Sequence, residues 1–204
     1  MSKKKIIVFE GIEGSGKSLH LKNISTYLKK KRIKHIMFRE PGGSKNSEII
    51  RKLILNKKST LSKKTDLLLY LASRNENLEK IIKKNYNKKI ILIDRFVDST
   101  IAYQHYGMGI DMKIIKNLNS FILGNIKPNF TFLHTVSKKN LKNRLSKRNN
   151  LNKYDKFTYS FYNKVQKGFI KISKKRKNKY LIVDSNLSIQ SNKKLIQKKI
   201  NNLI

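Results

Sequence analysis

Residues 5–18 read KIIVFEGIEGSGKS: the apolar run Ile6, Ile7, Val8, Phe9 leads straight into GIEGSGKS at 11–18, an uninterrupted match to G-x-x-x-x-G-K-[ST]. A buried strand entering a glycine-rich turn and then a helix aims several backbone N–H groups at one point and makes a nest for phosphate. Gly11, Gly14 and Gly16 let the chain pass close to an anion, and Ile12, Glu13 and Ser15 complete the loop. Lys17 is then placed to reach the β- and γ-phosphates of a nucleotide, and the Ser18 hydroxyl to hold Mg²⁺. Outward from this loop, the strand before it and the helix after it predict an α/β architecture.

The remaining composition narrows the class. The 204 residues, 38% of them hydrophobic, suit a single domain over 1–204 with a real core. With no cysteine, disulfides, thiolate nucleophiles and Cys-rich zinc sites are excluded, and His20, His35, His105 and His134 fall at no metal-ligand spacing. No apolar run approaches the ~18 residues of a membrane span, and the basic start MSKKK runs into a strand rather than a signal-peptide core, so a cytoplasmic protein without membrane partners is expected. The formal charge of +36 suggests a polyanion partner, but the lysines lie along the whole chain among asparagines and isoleucines, all with A/T-rich codons. That spread points to compositional drift with solvated lysines, and specific nucleic-acid binding is not expected.

Five apolar runs rich in Ile, Val and Phe, at 5–10, 35–39, 89–94, 130–134 and 180–184, predict strands. Between them the period is helical: Leu21, Ile24 and Leu28 share one face, as do Ile114, Leu118, Phe121 and Ile122, and Ile196, Ile200 and Leu203. Asp111, Ser137 and Ser188 stand as N-caps, and an aromatic-rich helix starts near Phe157. Strands alternating with helices, with runs such as IILI apolar at consecutive positions, imply a five-stranded parallel sheet covered on both faces, a three-layer αβα arrangement. The polar stretch KRNNLNKYDK at 147–156 is an exposed loop on its composition. The run IILI ends in Asp94 and Arg95. A strand-end acid in this architecture sits beside the phosphate loop, where it can bind Mg²⁺ directly or through water.

The series GIEGSGKS (11–18), FREPGGS (38–44), LASR (71–74), IDRFVDSTIAYQ (93–104) and the pair Arg144 and Arg148 resembles the bacterial thymidylate kinases, in order and spacing, over about residues 5–185. The resemblance implies a P-loop kinase fold with a short lid at about 144–156, a homodimer, and transfer of the γ-phosphoryl of ATP to dTMP, giving dTDP and ADP.

It also implies residue roles. Lys17, Arg95 and Arg148 would carry the transfer, with Arg148 matching the lid arginine of members that lack a basic residue in the phosphate loop. Arg144, one helical turn earlier, would assist at the ATP phosphates. Arg51 and Arg95 would clamp the dTMP phosphate, since guanidinium forks suit phosphate oxygens. Tyr70 would stack on the base, Arg74 would donate to the thymine carbonyl O4, and Ser99, Tyr103 and Gln104 would complete the base and sugar pocket. Glu13 would face the sugar 3′-hydroxyl, and Ser18 and Asp94 would hold Mg²⁺. Six of the eight arginines fall in or beside these motifs. Departures from the family are Phe96, where tyrosine or histidine is usual and a polar contact near the acceptor is lost, and Asn152 and Lys153 in the lid, where an acid and an arginine are common. Another P-loop nucleotide or nucleoside kinase, or a basic nucleic-acid-binding protein with a degenerate phosphate loop, stand as the alternatives.

Overall fold

Buried β-branched runs make the sheet. The computed structural model describes residues 5–147 and 153–204. It contains β1 (Ile6–Gly11), β2 (His35–Arg39), β3 (Ile90–Asp94), β4 (Phe130–Thr135) and β5 (Tyr180–Asp184), all parallel, in the order β2-β3-β1-β4-β5. Central β1 pairs Val8 with Ile93 on one side and with Thr131 on the other, and every residue of β1 and β3 is buried. The expected five-stranded parallel sheet is therefore present, each strand within one residue of its sequence limits.

Alternation along β1 splits the core into two layers. Ile7 and Phe9 pack with Leu21, Ile24 and Leu28 of α1 (Lys17–Lys30) and with Ile196 and Ile200 of α9 (Ile189–Asn201). Ile6 and Val8 face the opposite layer, against Leu78, Ile82, Phe96 and Leu123. That layer holds α2 (Lys45–Leu55) and α3 (Lys63–Asn77), which continues through a wide π turn at Leu78–Ile82 into α4 (Lys83–Asn85). It also holds α5 (Val97–Thr100), running on as a π segment over Ile101–Gly107, and α6 (Met112–Leu123). α7 (Lys138–Ser146), a 3-10 turn at Lys153–Lys156 and α8 (Tyr159–Lys174) complete the chain before β5.

The caps match the residue chemistry: Asp111, Ser137 and Ser188 accept from Lys113 N, Asn140 N and Ser191 N. The aromatic helix begins at Tyr159, two residues past its expected start, because Thr158 caps it. One helix face differs from the apolar pattern. α6 buries Ile115, Asn119 and Leu123, while Ile114 and Phe121 lie exposed, because the helix turns polar Asn119 inward to bond α3 and leaves two apolar positions uncovered.

The parallel strands deliver Gly11, Arg39, Asp94, Thr135 and Asp184 to the same end of the sheet, where ligands of open α/β sheets bind. Behind that end, α8 lies tight against the π segment. A Cβ on Gly168 would stand 2.5 Å from the Tyr106 ring, and one on Gly107 2.7 Å from Phe161. Gly168→Ala is expected to cost about 1–3 kcal/mol by overpacking, measured as a lowered urea midpoint with unchanged slope. An unchanged midpoint would show that the helix can back away freely.

Candidate active site

Gly11 closes β1 against β4, and only a glycine fits there: a Cβ would meet the His134 carbonyl oxygen at 2.4 Å. Gly14 and Gly16 take φ of 67° and 79°, so the chain wraps into a loop whose amides point toward the start of α1. Lys17 is buried at that start and its Nζ lies 3.4 Å from the Ile12 carbonyl oxygen. Burial, with Arg95 nearby, pulls its pKa down to about 8 despite the carboxylates around it. His134 and His20 stack below the loop with ring centres 5.4 Å apart, and burial brings His134 down to about 3, so the floor under the loop is uncharged.

Ser18 Oγ donates to Asp94 Oδ2, while Asp94 Oδ1 is buried and has no partner among the described residues. A hydroxyl beside a carboxylate with a spare oxygen suits a hard cation such as Mg²⁺, which keeps water and phosphate as its other ligands. Among the described residues, no cluster of three His, Asp or Glu side chains could hold a metal unaided.

Arg95 adopts φ 68° and lies across the cleft. Its Nη1 donates to the Gly11 carbonyl oxygen at 2.9 Å and its Nη2 to Glu13 Oε1 at 2.7 Å, and the guanidinium covers the Tyr103 ring at 5.1 Å. Tyr103 OH donates to Glu13 Oε2. Burial would raise the Glu13 carboxyl, but Arg95, Lys17 and the Tyr103 hydroxyl hold it below the usual carboxylate range. Arg144 donates from Nη1 to Gly14 O at 2.9 Å and from Nη2 to Ser185 O at 2.6 Å, tying α7 to the phosphate loop and to the end of β5. Arg51 donates to Pro41 O at 2.6 Å.

These groups enclose a cleft of about 700 Å³. Glu13, Gly14, Gly16, Lys17, Ser18, Asp94 and Arg144 line it at the loop end; Arg39, Arg51, Tyr70, Arg95 and Tyr154 line the rest. Gly11, Ile12 and Ser15 stand beneath. Ser99, Tyr103, Gln104 and Arg74 stand behind the wall rather than on it. Arg74, 1% exposed, donates from Nε to Glu40 Oε2 at 2.8 Å and from Nη1 to Asn119 Oδ1 at 2.5 Å. Phe96 does not face the acceptor side as expected. It is fully buried beneath the Arg74 guanidinium, 5.1 Å from ring to charge, because Arg95 in its left-handed conformation turns the next residue inward.

Arg148 and Asn152 lie outside the described residues. Lys153 pairs with Asp66 of α3 at 3.2 Å, and Tyr154 OH donates to the same carboxylate. The tetrapeptide NKYD at 152–155 therefore matches the guanine-selecting Asn-Lys-x-Asp pattern of GTPases by letters alone: Lys153 and Tyr154 sit on a 3-10 turn bound to α3, not at the end of a strand.

Sequence reasoning passed over Glu10, Glu40, Asp66 and Asn119. Glu10 carried a signal, an acid inside a run of buried apolar residues, and Glu40 stands in the FREPGGS motif directly after β2; Asp66 and Asn119 are polar residues on ordinary amphipathic helices.

A parallel αβα sheet with an amide-lined loop, a buried lysine, a hydroxyl–carboxylate pair and arginines converging from separate elements defines the class of P-loop kinases. Within it, the chain belongs to the thymidylate kinase family, whose model matches residues 9–196. A thymidylate kinase of Thermosipho africanus is 40% identical over 186 residues, 91% of this chain and 92% of that one. A thymidylate kinase of Kosmotoga olearia is 34% identical over 185 residues, 90% and 89% of the two chains. The crystal structure of thymidylate kinase from Ehrlichia chaffeensis superposes with a TM-score of 0.79 at 31% identity, covering 97% of this chain and 98% of that one.

Lys17 must be charged to attract phosphate, and its pKa near 8 sets where that charge is lost. ATP affinity, measured by calorimetry from pH 7.5 to 9.5, is expected to be flat up to about pH 8. Above that it should fall by up to about tenfold per pH unit, and a Lys17→Met protein should bind weakly with no such slope. A wild-type slope that survives Lys17→Met would assign the titration elsewhere.

Proposed function

We propose that the protein transfers the γ-phosphoryl group of ATP to dTMP, yielding dTDP and ADP for dTTP synthesis. The observation that supports this most strongly is one continuous cleft lined by cationic groups along its length: Lys17 and Arg144 beside the phosphate loop, Arg95 reaching across to Gly11 and Glu13 of that loop, and Arg39 and Arg51 beyond it. Two phosphorylated substrates placed end to end would each meet a clamp, with the reacting atoms between them.

Phosphoryl transfer asks for alignment and charge stabilisation more than for bond-making by the protein. An oxygen of the dTMP phosphate attacks the γ-phosphorus as the bond to the bridging oxygen breaks, and the electron pair leaves on ADP. The loop amides and Lys17 hold the donor, and Arg51 and Arg95 orient the acceptor. Mg²⁺, when bound at Ser18 and Asp94, supplies charge neutralisation on the ATP phosphates. Arg148 would meet the transferred group, since the loop itself offers only Gly14 and Ser15 at that side. Tyr70 on the wall suits stacking on the base. Arg74 is held by Glu40 and Asn119 behind the cleft wall, and only a guanidinium turned from there toward the base would favour a carbonyl at position 4 of the pyrimidine over the amino group of cytosine. Glu13, which lines the cleft, would accept from a sugar hydroxyl. ATP and dTMP are cytosolic metabolites, which fits a cytoplasmic enzyme.

The purified protein with ATP and Mg²⁺ is expected to phosphorylate dTMP in a coupled assay far faster than dCMP, dGMP or AMP, and Arg148→Ala is expected to lower turnover about 10³- to 10⁵-fold. Full turnover by Arg148→Ala would remove the lid arginine from the mechanism, and no activity on dTMP would remove the function.

A homodimer is also proposed. Helices α2, α3 and α6 pack in series and leave Ile49, Leu53, Leu68, Ile114 and Phe121 exposed, Phe121 at 87%. These five exposed apolar side chains share one helical layer, which suits an association surface. Sedimentation should show a dimer that Phe121→Glu converts to a monomer; a monomeric wild type would end this assignment.

A further inference from the structure

Glu10 is wholly buried at the end of β1, directly before the phosphate loop, and it touches no part of the cleft. Burial, reinforced by neighbouring Asp98, lifts its carboxyl to about 7, so an acid in this place is unfavourable unless it does something a neutral residue cannot. Its three contacts all run to the segment that carries Arg95. Oε1 accepts from Phe96 N at 2.8 Å and Ser99 N at 3.2 Å, and Oε2 accepts from Ser99 Oγ at 2.5 Å. Helix α5 has no cap from its own side chains, and the β1 carboxylate instead accepts from the amide of its N-cap residue Phe96 and from Ser99 N in its first turn.

Arg95 sits between two anchors on β1. Its own amide donates to the Phe9 carbonyl oxygen at 3.0 Å, and the next amide, Phe96 N, donates to the Glu10 carboxylate. A non-glycine residue at φ 68° persists only where its surroundings hold it, and these two bonds bracket it. The side chain is held as well. A serine hydroxyl has one proton; when Glu10 is ionised, above about pH 7, Ser99 gives it to the carboxylate and is left with lone pairs toward Arg95, whose Nη1 lies 3.3 Å away.

We propose that Glu10 is a positioning residue for phosphoryl transfer: through the Phe96 amide and a Ser99 hydroxyl whose polarity it dictates, it presents the Arg95 guanidinium to the acceptor phosphate. The inference rests on the kinase reading above, and it moves Ser99 from the expected base and sugar pocket to the support of Arg95.

The isosteric change Glu10→Gln is diagnostic. The amide oxygen can keep both backbone N–H groups, but the NH₂ donates to Ser99 Oγ, so the serine proton loses its acceptor at residue 10 and one of the two lone pairs is taken, which leaves the hydroxyl free to turn its proton toward Arg95 and oppose the Nη1 donor. Glu10→Gln is expected to lower kcat/KM for dTMP about 10²-fold while leaving the Kd for ATP within about twofold. Ser99→Ala alone, which removes the relay atom but not the capping carboxylate, is expected to lose less, about tenfold. The double variant Glu10→Gln, Ser99→Ala carries no misdirected proton and is expected to recover at least about fivefold over Glu10→Gln, a coupling of opposite sign to simple damage. A double variant no better than Glu10→Gln, or an equal loss for ATP and dTMP, overturns the relay. A crystal structure of Glu10→Gln supplies a readout independent of the acceptor: Arg95 withdrawn from Ser99 supports the relay, and Arg95 unmoved overturns it. Failure of the wild type to phosphorylate dTMP would instead overturn the kinase reading.

Discussion

Like charges crowded into a poorly solvated crevice repel, and the cleft of this protein exists only because buried carboxylates balance its cations. Lys17 and Arg95 are both buried or nearly so, and each depresses or raises the proton affinity of its neighbours. Glu13, Asp94 and Glu10 stand among them, and Arg74 has Glu40 and Asn119. In a chain with 48 basic and only 12 acidic residues, acids are the scarce component. Seven of them, Glu10, Glu13, Glu40, Glu48, Asp66, Asp94 and Asp98, line the cleft or stand directly behind it. The lysine excess elsewhere is solvated and carries no comparable constraint.

Those acids also make the site rigid. Glu13 is gripped by Arg95 and Tyr103, Glu40 by Arg74, and Asp66 receives Lys153, Tyr154 and, at 3.4 Å, Gln104. Each bond joins elements far apart in the chain, so the phosphate loop, the Asp94–Arg95 turn, α3 and the turn at Lys153–Lys156 form one connected frame. Fixed dipoles and charges of this kind need not reorganise as charge moves between donor and acceptor.

The apolar pattern made the sheet legible. Consecutive Ile, Val and Phe in IIVF and IILI can be accommodated only in strands covered on both faces, and five such runs alternating with helical periods left one architecture to build. Where the pattern misled, at α6, polar Asn119 was worth more inside, bonded to Arg74, than Phe121 was, and periodicity counts only apolar residues. The phosphate loop, Asp94 and Arg95 were equally visible because their roles depend on adjacency along the chain. Glu10 was overlooked because its partners, Phe96 and Ser99, lie 86 and 89 residues away.

The amino-acid sequence by itself determined the five strands, the helix caps and the phosphate-binding loop, since each is a matter of local conformation and of which face an apolar side chain must bury. Tertiary structure alone decided which carboxylate meets which guanidinium, that Arg74 and Phe96 turn inward, and that Lys153 and Tyr154 close on Asp66. Those pairings join segments brought together only by the order of strands in the sheet, and a charge in a sequence carries no record of the partner that folding will place beside it.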